Sequence, residues 1–428
     1  MMPISQERKG FLFGRLFYGW VIVLTAWLIM FLCVAVQIGS FPVFFDELLD
    51  YFGWSRGSLA LGFTFNMLFM SAFGMLAGVI LNRIGPRKTV ITGAVIGGVS
   101  VALISQTSQP WHFYITYGFF LPLGTAMAFY VPLITTVRRW FSRRAALAVS
   151  LAMTGSAAGG AAGPFIAQAL INSFGWQDAY KLLGLILAAG VIACAFMLKK
   201  DPESAGAYPD GSPLDETQPG KRVDLASRTE TWSIKEAIRT RTLWFLIAAQ
   251  AGLMIVTLSA GAHLKVWVDE DLKLGEGFAL AMVSLMPLMA VVSRIPGGVI
   301  SDRLMDRHGR KPILYLSAIG VAVFIFGALA VDSKFTAVIF AIGIGLSGGI
   351  GVGIFPTYLG DLFGVISLPV ILGLVMLASS TVGALGPWLF GAIYDGTGSY
   401  DLAFVIGGIL CVLSLICLVL LKPPTKKS

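Results

Sequence analysis

The chain has 428 residues, of which 56% are hydrophobic and only 13% charged, and its mean hydropathy is +0.81. Soluble domains carry about 25% charged residues, so this composition excludes a soluble globular fold and implies a helical membrane protein. A formal charge of +8 would suit a nucleic-acid partner, but the basic residues fall in alternate loops between apolar runs, which makes them a topology signal instead.

In chain order, residues 1–17 hold Arg8, Lys9 and Arg15, and Tyr18 then opens an apolar run. The run is too long for a signal-peptide core and lacks a small-residue cleavage site, so it is read as a retained first helix. Twelve stretches reach the roughly 20 residues that a helix needs to cross a bilayer. They are 18–45, 57–81, 88–107, 112–139, 145–171, 177–198, 242–268, 277–302, 312–331, 335–360, 367–393 and 401–421. Basic loops carry Arg83, Arg87 and Lys88; Arg138, Arg139, Arg143 and Arg144; Lys199 and Lys200; Arg303, Arg307, Arg310 and Lys311; and Lys422, Lys426 and Lys427. They alternate with acidic loops carrying Asp46, Glu47 and Asp50; Asp178; Asp269, Glu270 and Asp271; Asp332; and Asp395. The positive-inside rule then predicts a multi-pass protein of the cell (inner or plasma) membrane, with both termini and the long middle loop cytoplasmic.

The long polar stretch 199–240 is Pro/Gly/Ser-rich in its first part and reads as a flexible linker. It leads into a short amphipathic helix, TWSIKEAIRTR, at 231–241. The linker divides the chain into an N-terminal six-helix bundle at 1–198 and a C-terminal one at 241–428. The two halves repeat: GVILNRIGPRK (78–88) resembles GVISDRLMDRHGRK (298–311) at an offset of 220, and Arg87 falls on Arg310 at 223. The same 223 relates Gly163-Pro164 to Gly386-Pro387 and Asp178 to Asp401. Such a duplicated unit is the pattern of many transporters.

Inside the eighth span sits one cation, Arg294. It lies roughly 12 Å along the helix from Asp302, where the apolar run stops, which places it near the membrane midplane. A charge there costs at least ~2.5–3.5 kcal/mol, so it calls for a watery cavity or an anionic partner. A guanidinium fork fits a carboxylate bidentately. The structural alternatives are a pair with a helix carbonyl, or snorkelling, which the distance and the bend expected at Pro296-Gly297 make awkward. One cation matches one negative charge, which favours a monocarboxylate; a dicarboxylate would strand its second charge. The repeat-related residue at offset 220 is Gly74, so internal symmetry does not require a cation here.

Tyr130, ahead of Pro132 in the fourth span, offers a phenol to the same carboxylate or packs between helices. Gln37, Asn66 and Gln250 lie inside spans, either as ligands or as interhelical glue. His263, in the outer part of the seventh span, is the proton-coupling candidate, with a hydrogen-bonded wall histidine as the alternative. Cys33, Cys194, Cys411 and Cys417 lie in apolar runs without metal or CxxC spacing and are read as reduced core thiols. The sequence shows no nucleophile–base set, metal spacing or phosphate-binding loop, so neither enzyme activity nor a metal or cofactor is expected.

These motifs resemble those of the major facilitator superfamily, whose short second-to-third loop carries G-x-x-x-D-R-x-G-R-[RK]. The second copy keeps Asp302 and Arg303, while the first has Asn82 in the place of the acid. The resemblance implies an all-α membrane fold of twelve transmembrane helices in two pseudo-symmetric six-helix bundles. It also implies a conformational latch at Arg83, Arg87, Asp302, Arg303 and Arg310. A finer resemblance is to the monocarboxylate transporters and the oxalate–formate antiporters. It rests on Tyr18-Gly19-Trp20, WFSRRAALAVSLAMTGSAAGG (140–160), Asp361-Leu362-Phe363-Gly364, GPWLFGAIYDGTGSY (386–400), and Arg294 with Pro296 and Gly297. It implies that Arg294 is the eighth-helix arginine that binds substrate carboxylate. Members of that branch carry an Asp one turn before this arginine, a first-helix Lys or an eleventh-helix Lys; here stand Ala290, Gly39 and no Lys within 367–393. The expected function is secondary active transport of small organic monocarboxylate anions by alternating access, proton-coupled or by exchange. The expected partners are that anion and the lipid bilayer, with no nucleic acid and a monomer as the working unit. The alternative in the same fold is an exporter of drugs or metabolites without carboxylate selectivity.

Overall fold

The computed structural model describes residues 11–12, 16–205, 208–211 and 232–425. Arg8, Lys9, Arg15, Lys426, Lys427 and the greater part of the expected linker lie outside the described residues. Among the described residues, 11 helical stretches are long and apolar enough to cross a membrane. They are α1 (Tyr18–Phe52), α2 (Arg56–Ile84), α3 (Pro86–Ile104), α4 (Pro110–Trp140), the stretch Ala145–Ala195, α7 (Arg241–Asp271), α8 (Glu276–His308), α9 (Lys311–Ala330), α10 (Lys334–Phe363), α11 (Leu368–Thr397) and α12 (Asp401–Leu420). Ala145–Ala195 is 51 residues long and has non-helical backbone at Gly175 (φ 76°, ψ 164°), so it is two spans, α5 (145–174) and α6 (176–195). The described residues therefore form twelve spans. Phe11–Leu12 pairs with Leu16–Phe17 as a two-stranded antiparallel ribbon; the other described regular elements are helical.

Glycines end the spans at matching places in the two halves. Gly53 (φ 64°) follows α1 and Gly275 (φ 100°) follows α7; Gly85 (φ 78°) separates α2 from α3 and Gly309 (φ 67°) separates α8 from α9. Gly175 (φ 76°) and Gly398 (φ 72°), 223 positions apart, turn the chain before the sixth and twelfth spans. Positive φ is cheap only for a residue without Cβ, so these positions encode the duplicated turns. The helix of α4 is interrupted at Phe129 (φ −109°, ψ −114°).

Two compact units are present, one covering Met1–Thr231 with Gly364–Gly373, the other Trp232–Phe363 and Leu374–Ser428. Gly364–Gly373 goes with the first because its backbone lies on α2: a Cβ on Gly78 would come 2.3 Å from the Pro369 carbonyl oxygen. In the first unit a glycine ladder seats α5 on α1. Cβ atoms on Gly155, Gly159 and Gly163 would fall 2.2, 2.3 and 2.6 Å from the carbonyl oxygens of Trp27, Phe31 and Ala35. The spacing of four puts one glycine on the same face at each turn, and close backbone approach replaces the hydrophobic drive that lipid does not supply. In the second unit α11 meets α7 in the same manner, with a Gly386 Cβ 2.5 Å from the Ile255 carbonyl oxygen. The expected helix at 231–241 is shorter, Ile234–Ile238, started by a capping box of Ser233 and Glu236. The buried Trp232 before it meets Phe363 edge-on at 5.5 Å.

Candidate functional site

Arg294 lies within α8, which stays helical across both Pro287 and Pro296. Its residue is half-buried. A stripe of small contacts fixes the helix around it. Gly345 and Gly349 of α10 press on α8 so closely that Cβ atoms there would sit 2.3 Å from the Met286 carbonyl oxygen and 2.1 Å from that of Ala290. Ser293 is buried on the same seam, and Gly297 faces Ile350. Met286, Ala290, Ser293 and Gly297 recur at helical spacing, so they form one face. Arg294 is one residue on from Ser293, roughly a quarter turn around the helix, so its root stands beside the seam rather than in it. Ala290 lies on this seam with its backbone flush against α10.

Tyr130 is half-buried and begins the second helical arm of α4, Tyr130–Trp140, directly after the break at Phe129. The first amides of a helical arm have no intrahelical acceptor, and they lend the start of the arm a partial positive charge. A phenol therefore stands beside a backbone feature that favours anions.

Gln37 and Asn66 are turned toward each other. Gln37 Nε2 donates to Asn66 Oδ1 at 2.6 Å, Asn66 Nδ2 donates to the Tyr117 carbonyl at 2.6 Å, and the Tyr117 hydroxyl donates to the Gln37 carbonyl at 2.9 Å. The closed ring joins three helices, and all three residues are buried. Gln37 and Tyr117 lie in the π-helical turns Ala35–Gly39 and Tyr114–Phe120. The wider turns of such segments release carbonyls from the usual ladder, and here those carbonyls accept side-chain bonds. Gln250 of α7 is half-buried and makes no side-chain hydrogen bond among the described residues. Lys265, also of α7, pairs with Glu276 at 2.8 Å on an exposed surface.

His263 has both ring nitrogens engaged: Nε2 lies 2.8 Å from the Pro387 carbonyl and Nδ1 lies 2.9 Å from the Tyr400 hydroxyl. A carbonyl only accepts, so Nε2 carries a proton. Nδ1 then accepts from Tyr400 when the ring is neutral and donates to it when the ring is charged. The Tyr400 hydroxyl can serve Nδ1 either as donor or as acceptor.

Of the latch candidates, Arg310 is fully buried between two acids. Its Nη1 donates to Asp302 Oδ1 at 2.5 Å and its Nε to Asp361 Oδ2 at 2.8 Å, with Ser301 Oγ at 3.3 Å. Arg303 and Arg83 are exposed. Arg87 is also exposed, with its guanidinium 4.3 Å above the Phe196 ring. Asn82 accepts a hydrogen bond from Arg139 Nη2 at 3.2 Å.

The family model of the Major Facilitator Superfamily matches residues 26–305 and 303–428. The chain belongs to the major facilitator superfamily. Among curated proteins, this superfamily member is 25% identical over 396 residues to monocarboxylate transporter 13 of Rattus norvegicus, covering 91% of this chain and 86% of the relative. It is 26% identical to monocarboxylate transporter 2 of Homo sapiens, covering 92% and 83%. A crystal structure of the E. coli fucose:proton symporter superposes with a TM-score of 0.70 at 14% identity, covering 95% of this chain and 99% of the symporter, a likeness of fold. The twelve-helix facilitator fold expected from the sequence is therefore present, and the protein is a multi-pass membrane transporter rather than an enzyme. In this superfamily member Asp361 and Tyr400 enter the sequence reading only inside the motifs at 361–364 and 386–400, without their bonds to Arg310 and His263, and Tyr117 does not enter it. The signals for them were the Asp361-Leu362-Phe363-Gly364 motif and aromatic hydroxyls within apolar runs.

Proposed function

We propose that this facilitator is a secondary transporter of small organic monocarboxylates in the cell membrane, with Arg294 as the group that binds the carboxylate. The carrying observation is Arg294 itself: a guanidinium midway along a membrane helix, with its root beside the α8–α10 seam. The named monocarboxylate transporters, aligned over nine-tenths of the chain, support the choice of cargo. One positive charge balances one carboxylate, and the fork takes it up bidentately. Tyr130 and the start of its helical arm are the second set of donors in this reading. The mutually bonded Gln37 and Asn66 serve the scaffold instead. Alternating access exposes Arg294 in turn to the two sides of the membrane. His263 is the proton-coupling group, because its Tyr400 partner adapts to either protonation state.

Proteoliposomes loaded with the purified protein and offered a panel of radiolabelled acids, with and without an inward proton gradient, test this. Arg294→Ala is expected to abolish uptake of every monocarboxylate carried by the wild type, while the variant still reaches the membrane. Undiminished uptake by Arg294→Ala rejects the assignment. His263→Gln, which keeps hydrogen-bonding groups but does not titrate, is expected to remove the stimulation by the gradient and to leave exchange intact; a full gradient response in that variant moves the coupling proton elsewhere.

A further inference from the structure

The sequence elements Tyr18-Gly19-Trp20 and Trp140-Phe141-Ser142-Arg143-Arg144 form one socket in the first unit. Trp20 packs on Phe141 with centroids 4.9 Å apart, and Tyr18 on Trp140 at 5.4 Å. Gly19 is needed here, because a Cβ would meet the Phe141 ring at 3.0 Å and the Phe17 ring closer still. The middle loop is fastened to this socket at its start. The Tyr18 hydroxyl donates to the Met197 carbonyl at 2.9 Å, Trp140 Nε1 donates to the Lys199 carbonyl at 3.3 Å, and Lys199 Nζ lies 4.3 Å from the Tyr18 ring centroid.

The loop returns to the same place at Pro209–Gly211. Asp210 Oδ2 accepts from the backbone amides of Ser142 and Arg143, both at 2.9 Å, and Oδ1 accepts from that of Arg144 at 3.4 Å. Three successive amides directly ahead of α5 make a concave anion holder, strengthened by the positive end of the helix. Asp210 stands at φ 59° and Gly211 at φ 70°. That conformation costs a side-chain-bearing residue energy, though Asp tolerates it better than most. The strained turn is thus matched to a carboxylate that the loop delivers into a waiting set of donors.

We propose that 208–211 is a strap that pins the middle loop to the first unit through the carboxylate of Asp210. The chain between the fastened part of the first unit and Trp232 is then 212–231 instead of 200–231. The inference is independent of the substrate.

Hydrogen–deuterium exchange of the full-length protein in micelles, followed by mass spectrometry over 140–146, tests it. Asp210→Gly keeps the backbone conformation and removes the acid; loss of charge-assisted bonds is expected to speed exchange of the 142–144 amides roughly tenfold or more. Asp210→Asn, which keeps an acceptor without charge, is expected to fall between this variant and the wild type, and it answers the question if the glycine variant does not fold. Asp201→Asn is the control, since its carboxylate accepts from Ser204 within the loop at 2.9 Å, and it is expected to leave 142–144 unchanged. Wild-type protection of 142–144 in either Asp210 variant overturns the strap.

Discussion

The junction between α2 and α3 and the junction between α8 and α9 carry similar sequences at matching places in the two halves, and they hold their charges in opposite ways. Around α8–α9, Arg310 is sealed from solvent and held by Asp302 and Asp361. Around α2–α3, Asn82 replaces Asp302, and Arg87, the counterpart of Arg310, lies on the Phe196 ring. The position 223 before Asp361 is Arg138, a buried cation whose Nη1 donates to the Phe141 carbonyl at 2.8 Å. An acid has thus become a base at one repeat-related position and an amide at another. The backbone frame did not change with it, since Gly85 and Gly309 turn both junctions with positive φ. Steric requirements of the turn bind both copies alike, whereas a charge network has to balance only locally, so the second is free to diverge.

Removing an acid from the second junction should therefore do what no single change in the first can do. Asp361→Ala leaves the buried Arg310 with Asp302 as its one carboxylate partner. Removing a partner from a buried charge costs up to about 3–5 kcal/mol, the upper end belonging to a charge left with none, so a clear fall in melting temperature in detergent is expected, with transport lost alongside it. A melting temperature within a degree of wild type would show that Arg310 is stabilised by something other than its acids. Asp302→Asn makes the second junction read like the first. The amide oxygen still accepts from Nη1 and only the charge is lost, so a smaller loss of about 1.5–3 kcal/mol is expected. If this exchange equals Asp361→Ala in cost, charge rather than hydrogen bonding carries the cluster.

The sequence made some of this legible and hid the rest for physical reasons. Span positions follow from apolar length, and the duplication shows in glycines, because both depend on local requirements. The bend at Gly175 lies between two spans separated in the reading, although the helix runs on with only that residue out of line. Arg294 stood out because a charge in an apolar run is expensive wherever the helix goes. The role of Asp361 did not, because it meets an arginine 51 positions away across two helices. The sequence leaves Gln37 and Asn66 between ligand and interhelical glue, because their shared partner, Tyr117, meets them through carbonyls released by π-turns, which a 3.6-residue period does not anticipate. Asp210 was hidden in a stretch whose Pro/Gly/Ser composition reads as linker; one carboxylate at the right distance gives such a stretch a fixed place.

The smallest expected effect tests the comparison from the other side. Asn82→Asp restores to the first junction the acid that the second retains. Its neighbour is Arg139, whose Nη2 is already within 3.2 Å of the Asn82 side chain, so the new carboxylate would form an ion pair without rearrangement. Residue 82 is exposed, however, and an exposed pair contributes only about 0–1 kcal/mol and weakens with salt. Arg87 stays on Phe196 in this picture, because nothing in the exchange supplies the second acid that Asp361 provides to Arg310. The expected outcome is a melting temperature raised by at most a few degrees at low salt and indistinguishable from wild type at high salt. A gain as large as the loss in Asp302→Asn, persisting at high salt, would mean that one residue is enough to rebuild a sealed charge cluster, and that the two junctions differ by a single substitution instead of by their whole arrangement of cations.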